Sequence, residues 1–349
     1  MSAGEATAGL ARAAAVGIHC LPIPTPFQIG RVNTYLIDDD PLTLLDTGPN
    51  SGSSLDEVER ALAAHGRRVE DLELIVISHG HLDHFGLACV LQGRSGAEVA
   101  ALDRLTPWLE RYTEGMDAAD AFAEQIMAEH GVPQDVGHAL LTAWQGFRGW
   151  GAAVAVTRPL TDGCELVLRD RTLRVLHRPG HSPSDTIFHD AERGIVLGGD
   201  HLIKHISSNP LIARPLDWID DDGDGDRPQR TRALVEYTAS LRATREMRDV
   251  DLVLAGHGNP VVDPVALIDE RLALQVRRAQ KIRRLIATQP LTAHDIAQAL
   301  WGDVAVTQAY LTLSEVLGHI DLLIDDGLVV ERRADGVVRF AGEGLESTG

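Results

Sequence analysis

A layered α/β fold followed by a smaller helical module is predicted by three features of this sequence. From Gly17 to about Pro264, short apolar runs of strand length alternate with helical segments. Residues 104–150 break that alternation with helical, aromatic-rich sequence. From about Ala266 the texture changes again, to helices that end in a hairpin. A chain of 349 residues is long enough for two domains. The expected division is a flexible N-terminus over 1–16, an α/β domain over 17–265 carrying the insertion 104–150, and a C-terminal domain over 266–349.

The elements follow in order. "RVNTYLI" (31–37) and "LTLLD" (42–46) have strand length and β-rich composition. "LDEVERALAAHG" (55–66) is amphipathic and stops on Gly66, a helix C-terminal signal. "LELIVIS" (72–78) is a largely apolar run of strand length, consistent with a strand buried on both faces. Further strands are expected at 164–169, 173–179, 186–190, 194–200 and 251–258. The insertion reads as helices broken near Gly131-Pro133 and holds six of the fifteen aromatics, among them Trp108, Tyr112 and Trp144. Ordinary helix packing and a helical lid over an apolar pocket both explain that enrichment. The acidic loop 217–229 lacks the glutamate of a calcium loop; counted from Asp220, Thr231 stands at that position. Helices at 267–287, 292–300 and 305–325, then a hairpin turning at Asp335-Gly336, suggest a winged-helix-like tail. Its nine Lys/Arg against twelve Asp/Glu favour packing or dimerisation over DNA reading.

The formal charge of −19 repels nucleic acid and anionic membranes at long range. Cys20, Cys89 and Cys164 are widely spaced, which fits reduced thiols rather than a disulfide framework. No signal peptide or membrane-length apolar run is read, so the expected location is the cytoplasm.

The chemistry concentrates in "SHGHLDHFG" (78–86), where His79, His81, Asp83 and His84 fall within six residues after a buried strand. Imidazole and carboxylate donors suit zinc, iron(II) or manganese. Six residues cannot complete two coordination shells, and further donors stand at other strand ends: His181 in "HRPGHSPSDT", Asp200 in "IVLGGDHL" and His257 in "LAGHGNP".

With His79-Gly80-His81-Leu82-Asp83-His84 as an HxHxDH motif, and the three later donors in order, residues 17–264 resemble the metallo-β-lactamase-fold hydrolase superfamily. The tail resembles that of the β-lactamase-like protein 2 group, which joins it to a glyoxalase II-like core. The resemblance implies an α/β fold of the αββα sandwich type with a helical insertion and a small C-terminal winged-helix-like domain. It implies two divalent metal ions, Zn2+ first, with Fe2+ or Mn2+ accepted by the same donors. His79, His81 and His181 would hold one ion, Asp83, His84 and His257 the other, with Asp200 bridging and Asp46 of "LLDTG" supporting the site from behind.

With no GxSxG motif present, the nucleophile expected is a hydroxide bridging the metals, with Asp83 and Asp200 as the catalytic carboxylates. The substrate expected is a small-molecule carboxylic ester or thioester with a hydrophobic acyl group. Trp108, Tyr112, Trp144, His201, Lys204 and His205 are candidate contacts, on the insertion and in the segment 201–215. The basic run Arg277, Arg278, Lys281, Arg283 and Arg284 supports an alternative nuclease or phosphodiesterase, or an anionic carrier such as coenzyme A or glutathione. A non-catalytic metal sensor or diiron redox protein is the third reading. The oligomeric state is left open by the sequence, the tail offering one surface for a homodimer.

Overall fold

The computed structural model describes residues 3–216 and 230–344. The acidic loop 217–229 lies outside them. Two sheets stack face to face. The first has strands β1 (Ile18–Ile23), β2 (Val32–Ile37), β3 (Thr43–Leu45), β4 (Leu74–Val76), β5 (Glu98–Leu102) and β6 (Arg158–Leu160) in that order. It is antiparallel from β1 to β3 and parallel from β3 to β6. The second has β7 (Glu165–Val167), β8 (Thr172–His177), β9 (Thr186–Asp190), β10 (Ile195–Gly199) and β11 (Leu252–Ala255), ordered β11-β10-β9-β8-β7. Only β10 and β11 run parallel there.

Helices complete the layers: α1 (Ala3–Ala14), α2 (Gly52–Ala64), the single-turn α3 (Leu82–Phe85), α4 (Ala88–Ser95), α5 (Thr106–Glu110), α6 (Tyr112–Glu129), α7 (Gln134–Gln145), α8 (Ala233–Arg245), α9 (Pro264–Leu285), α10 (Ala293–Trp301), the short α11 (Val304–Thr307) and α12 (Ala309–Asp325). The hairpin β12 (Val329–Ala334) and β13 (Val337–Gly342) closes the chain.

The period of two along each strand builds the sandwich. Ile37, Leu45, Leu74 and Val76 meet Val175, Phe188, Leu197 and Leu254 between the sheets. The alternate residues Leu36, Leu44, Ile75 and Val99 face outward onto Val58, Leu62, Leu91 and Leu109 of the first helical layer. On the other side Ile187, Val196 and Val253 pack on Leu234, Leu241 and Ile268. The result is the αββα architecture.

Three features differ from the sequence expectation. The N-terminus expected to be flexible forms α1, whose Ala6, Leu10 and Ala13 share one face by their four- and three-residue spacing. Ala13 and Leu10 join the inter-sheet core, and Arg12 donates to the Arg193 carbonyl at 2.6 Å. Alanine is the strongest helix former, so this Ala-rich stretch needs only that small face to dock. Strands β1, β5 and β6 were not anticipated; Pro22 and Pro159 sit in the two edge strands, where a missing N–H is tolerated. The expected helix 305–325 is broken at Gln308 into α11 and α12.

The insertion and the tail share a core. Phe122, Ile126 and Met127 of α6 and Leu141 of α7 pack with Ile296, Leu317, Ile320 and Phe340. Helix α9, capped by Asp263 through the Ala266 N–H, starts on the second sheet at Ile268 and ends in that shared core at Ile282. The hairpin turns through Asp335 and Gly336, both at positive φ, as the twist of a two-residue turn requires.

Candidate metal centre

The seven donors arise from loops at one edge of the sandwich. His79 and His81 follow β4, Asp83 and His84 lie on α3, His181 stands between β8 and β9, Asp200 follows β10 and His257 follows β11. Their donor atoms fall into three close groups: His79, His81 and His181; His79, His84 and Asp200; Asp83, His84 and His257. His79 Nε2 lies 3.1 Å from His81 Nδ1, which lies 3.0 Å from His181 Nε2. Asp200 Oδ2 is 3.4 Å from His181 Nε2 and 3.5 Å from His257 Nε2, while its Oδ1 is 3.5 Å from His84 Nε2. Asp83 Oδ2 is 3.2 Å from His257 Nε2.

Hydrogen bonds on the far ring nitrogens fix the tautomers. His181 Nδ1 donates to the Asn209 carbonyl at 3.0 Å and His257 Nδ1 to the Arg31 carbonyl at 2.9 Å. His84 Nδ1 donates to Asp46 Oδ2 at 2.8 Å, and Asp46 also accepts from the Ser78 N–H and hydroxyl. Because that hydroxyl donates to Asp46, it accepts from His79 Nδ1 at 3.0 Å. Each of these four rings therefore turns its Nε2 toward the cluster.

These donors fit a divalent cation. Three ring nitrogens, His79 Nε2, His81 Nδ1 and His181 Nε2, converge at one point. A tetrahedral zinc with bonds of about 2.0 Å would space such nitrogens about 3.3 Å apart, close to the separations here. His84 Nε2 and Asp200 Oδ1 are buried and, beyond facing each other at 3.5 Å, form no hydrogen bond among the described residues, so an ion set between them would receive both. Gly256 is part of the cradle: a Cβ there would stand 2.3 Å from Asp200 Oδ1.

The electrostatics agree. Burial, then the neighbouring imidazoles, hold His79 well below the ordinary histidine range; burial and His181 bring His81 to about 3. Both rings stay neutral, as ligands must. Burial opposes charge on His84, yet Asp200, Asp46 and Asp83 outweigh it and push that ring well above the ordinary range. Burial likewise opposes ionisation of Asp200, but His84 and His257 hold it well below the usual carboxylate range. The carboxylates here attract positive charge.

A cavity of about 600 Å³ opens onto the cluster. His81, Asp83, His181, Asp200 and His257 form its floor. Trp108, Met116, Phe122, Trp144 and Phe147 of the insertion wall one side, while Phe122 and Trp144 also pack with the tail and Trp108 and Met116 with the outer core, so the region is at once pocket wall and helix packing. Other candidate contacts stand elsewhere. Tyr112 packs on Phe85 in the outer core and donates to the Arg148 carbonyl at 2.7 Å. His201 is buried beneath α8, with Nε2 2.9 Å from Thr244 Oγ1. Lys204 is absent from the lining; its carbonyl accepts from Arg271. His205 is exposed beside Asn259. The segment 201–215 does reach the cavity, through Leu211, Ile212, Ala213 and Arg214. Phe27 and Ile29 of the β1–β2 loop, and Tyr310 and Leu311 of α12, line it without any sequence signal beyond being apolar.

Comparison with known proteins places this geometry in context. A family model described as "Metallo-beta-lactamase superfamily" matches residues 28–257. The "Probable metallo-hydrolase YqjP" of Bacillus subtilis (strain 168) is 34% identical over 309 residues, covering 88% of this chain and 92% of that protein. The hydroxyacylglutathione hydrolase GloC of Haemophilus influenzae is 27% identical over 193 residues, covering 54% of this chain and 73% of that one. Among solved structures, a metallo-beta-lactamase family protein of Thermus thermophilus superposes with a TM-score of 0.78 at 24% identity, over 94% of this chain and 99% of that one.

Proposed function

Because the chain belongs to the metallo-beta-lactamase superfamily and is a metallo-hydrolase of it, we propose that it cleaves carboxylic esters or thioesters carrying a medium-sized hydrophobic acyl group, with two divalent metal ions held at one edge of the sandwich. The observation that carries this reading is the apolar cavity of about 600 Å³ whose floor is the donor cluster. An acyl group seated against Trp108, Phe122 and Trp144 would bring its carbonyl to that floor. Similarity to a hydroxyacylglutathione hydrolase, which acts on a thioester, supports the same bond type.

His79, His81 and His181 would hold one ion and Asp83, His84 and His257 the other, with Asp200 between them; Zn2+, Fe2+ and Mn2+ all suit these donors. Ions so bound supply a Lewis acid and lower the pKa of water enough to give a nucleophile near neutral pH. The chain's own residues do the rest. Asp46 fixes the His84 tautomer through its 2.8 Å bond. Asp83 is buried, yet His84 and His257 keep its carboxyl below its ordinary value, so it stands ionised at the cavity floor, as a ligand must. The aromatic wall keeps bulk water from the reacting carbonyl.

A nuclease or phosphodiesterase is the second reading; it rests on the basic run of α9, whose placement away from the cavity counts against it. Arg277, Lys281, Arg283 and Arg284 are exposed, Arg278 pairs with Glu315, and none lines the cavity.

The test is hydrolysis by metal-quantified protein of p-nitrophenyl esters of increasing chain length, acyl-glutathione, acyl-coenzyme A, bis-p-nitrophenyl phosphate and a short RNA. Asp83→Ala and His181→Ala run alongside. Ester or thioester turnover that vanishes in both variants is expected. Phosphodiester cleavage without ester turnover would overturn the reading.

A further inference from the structure

Segment 209–212 does two jobs at once. It supplies the backbone that orients a proposed metal ligand: the Asn209 carbonyl accepts from His181 Nδ1 at 3.0 Å, and the Leu211 N–H donates to the His181 carbonyl at 3.2 Å. It also lines the cavity through Leu211 and Ile212. Being irregular, it has no ladder of its own to hold it in place. Its polar groups are met by α12, from the tail. The Tyr310 hydroxyl donates to the Ile212 carbonyl at 2.5 Å, the Ile212 N–H donates to Ser314 Oγ at 3.2 Å, and Asn209 Nδ2 donates to the Leu311 carbonyl at 3.4 Å. The Tyr310 ring is fixed in turn against Trp144, edge-on at 5.2 Å between centroids.

We infer that the C-terminal helix α12 is a working part of the metal centre, with Tyr310 and Ser314 acting as positioning residues that clamp segment 209–212 and thereby aim His181 at the cluster. The inference rests on the metal-site reading above. Residues 310 and 314 share a helix face by their four-residue spacing, so one face of α12 grips both the carbonyl and the N–H of Ile212. Two bonds to a single peptide residue fix its position along the helix and its rotation. The Asn209 carbonyl, three residues back, inherits that placement. Partners that orient a ligand imidazole are worth roughly tenfold or more in metal affinity. Here the partner is a backbone carbonyl, which cannot be deleted, so the clamp is the mutable element.

The experiment is competition for Zn2+ between the full chain and a chromophoric chelator. It uses wild type, Tyr310→Phe, Ser314→Ala, the double variant, Ile320→Val and His79→Ala, with a thermal melt of each zinc-free protein. Tyr310→Phe keeps the ring against Trp144 and removes only the hydroxyl. The double variant should bind Zn2+ roughly tenfold more weakly, with each single variant between it and wild type. Ile320→Val, in the core that α12 shares with the insertion, should match wild type in affinity although its melting point falls. Wild-type affinity in the double variant and both singles would overturn the inference. So would equal weakening in Ile320→Val, which would trace the effect to general loss of stability. Zn2+ binding unchanged in His79→Ala would overturn the metal-site reading itself, a result distinct from either.

Discussion

The metal edge and the helical cap formed by insertion and tail meet across one cavity, and they are built on opposite terms. At the edge, His79, His84, His181 and His257 each have a named partner for the ring nitrogen turned away from the cluster. At the cap, Phe122, Ile126, Leu317 and Ile320 touch many neighbours, none of them obligatory. Directed bonds make the edge sensitive to the identity of single atoms. Apolar packing makes the cap sensitive to volume, and tolerant of swaps that conserve it. Substitutions at the edge should therefore change chemistry before stability, and those at the cap the reverse.

The largest effect should come from removing a donor. His79→Ala or Asp200→Ala takes away a ligand atom that at least one of the close donor groups shares. Loss of Lewis acid and nucleophile together is worth several kcal/mol, so kcat/KM should fall on the order of a thousandfold. Chelation of the wild type should do the same and be reversed by added Zn2+. Steady-state kinetics with metal analysis reads both. A variant that keeps a tenth of the activity with bound metal would break the comparison at its strongest point.

Next is acid sensitivity of the cap. His130 ends α6, is buried, and stacks on Phe340 of the terminal hairpin. Burial, then Arg230 and Arg333, lower its pKa to about 3, against about 6.5 in an unfolded chain. Between those values the unfolded state binds the extra proton. The stability contributed by the neutral ring is thus complete above pH 6.5 and is lost as pH falls toward 3. Urea unfolding of chelated protein at pH 7.5 and 4.5 should show wild type losing about 2–3 kcal/mol more than His130→Phe over that interval. Equal losses in the two proteins would mean that the ring is protonated in the fold.

How far each region was legible follows from the same contrast. The seven donors could be read because metal chemistry accepts few residue types and the strand ends space them recognisably, and Asp46 only through the resemblance of "LLDTG" to the superfamily's turn. The cap's role as lid could be suspected from its aromatics, but not its union with the tail. Phe122 and Ile320 lie almost two hundred positions apart, and neither carries a sign of the other. Tyr310 and Leu311 were invisible for the same reason. His201 shows the opposite error. It follows Asp200 directly, yet neighbours in sequence at the end of a strand point to different sides. Its ring turns beneath α8 toward Thr244 while Asp200 faces the cluster.

A smaller effect is expected one step behind the ligands. Asp46 sits at φ 58° and receives three hydrogen bonds, from the Ser78 N–H, the Ser78 hydroxyl and His84. Asparagine tolerates that backbone region, so Asp46→Asn removes the charge without adding strain. The amide offers one acceptor where the carboxylate offered two, leaving a buried contact short of a partner. Metal affinity should fall about tenfold, with kcat reduced in proportion at limiting metal and recovering as metal is raised. A loss of activity that saturating metal does not restore would move Asp46 from orienting His84 to the reaction itself.

The smallest effect tests the cap's tolerance. Ile320 is fully buried on α12, in the core that joins tail to insertion. Ile320→Val deletes one methyl group from a well-packed site and should cost about 1 kcal/mol of unfolding free energy. Its side chain belongs to the apolar core rather than to the clamp that Tyr310 and Ser314 place on segment 209–212, so kcat/KM for a hydrophobic ester should stay within about twofold of wild type. Denaturant melts and kinetics on the same preparations decide it. If activity fell tenfold with so little stability lost, packing within the cap would be coupled to the metal edge through more than the two side chains named here, and the division between a directed edge and a tolerant cap would have to be redrawn inside α12.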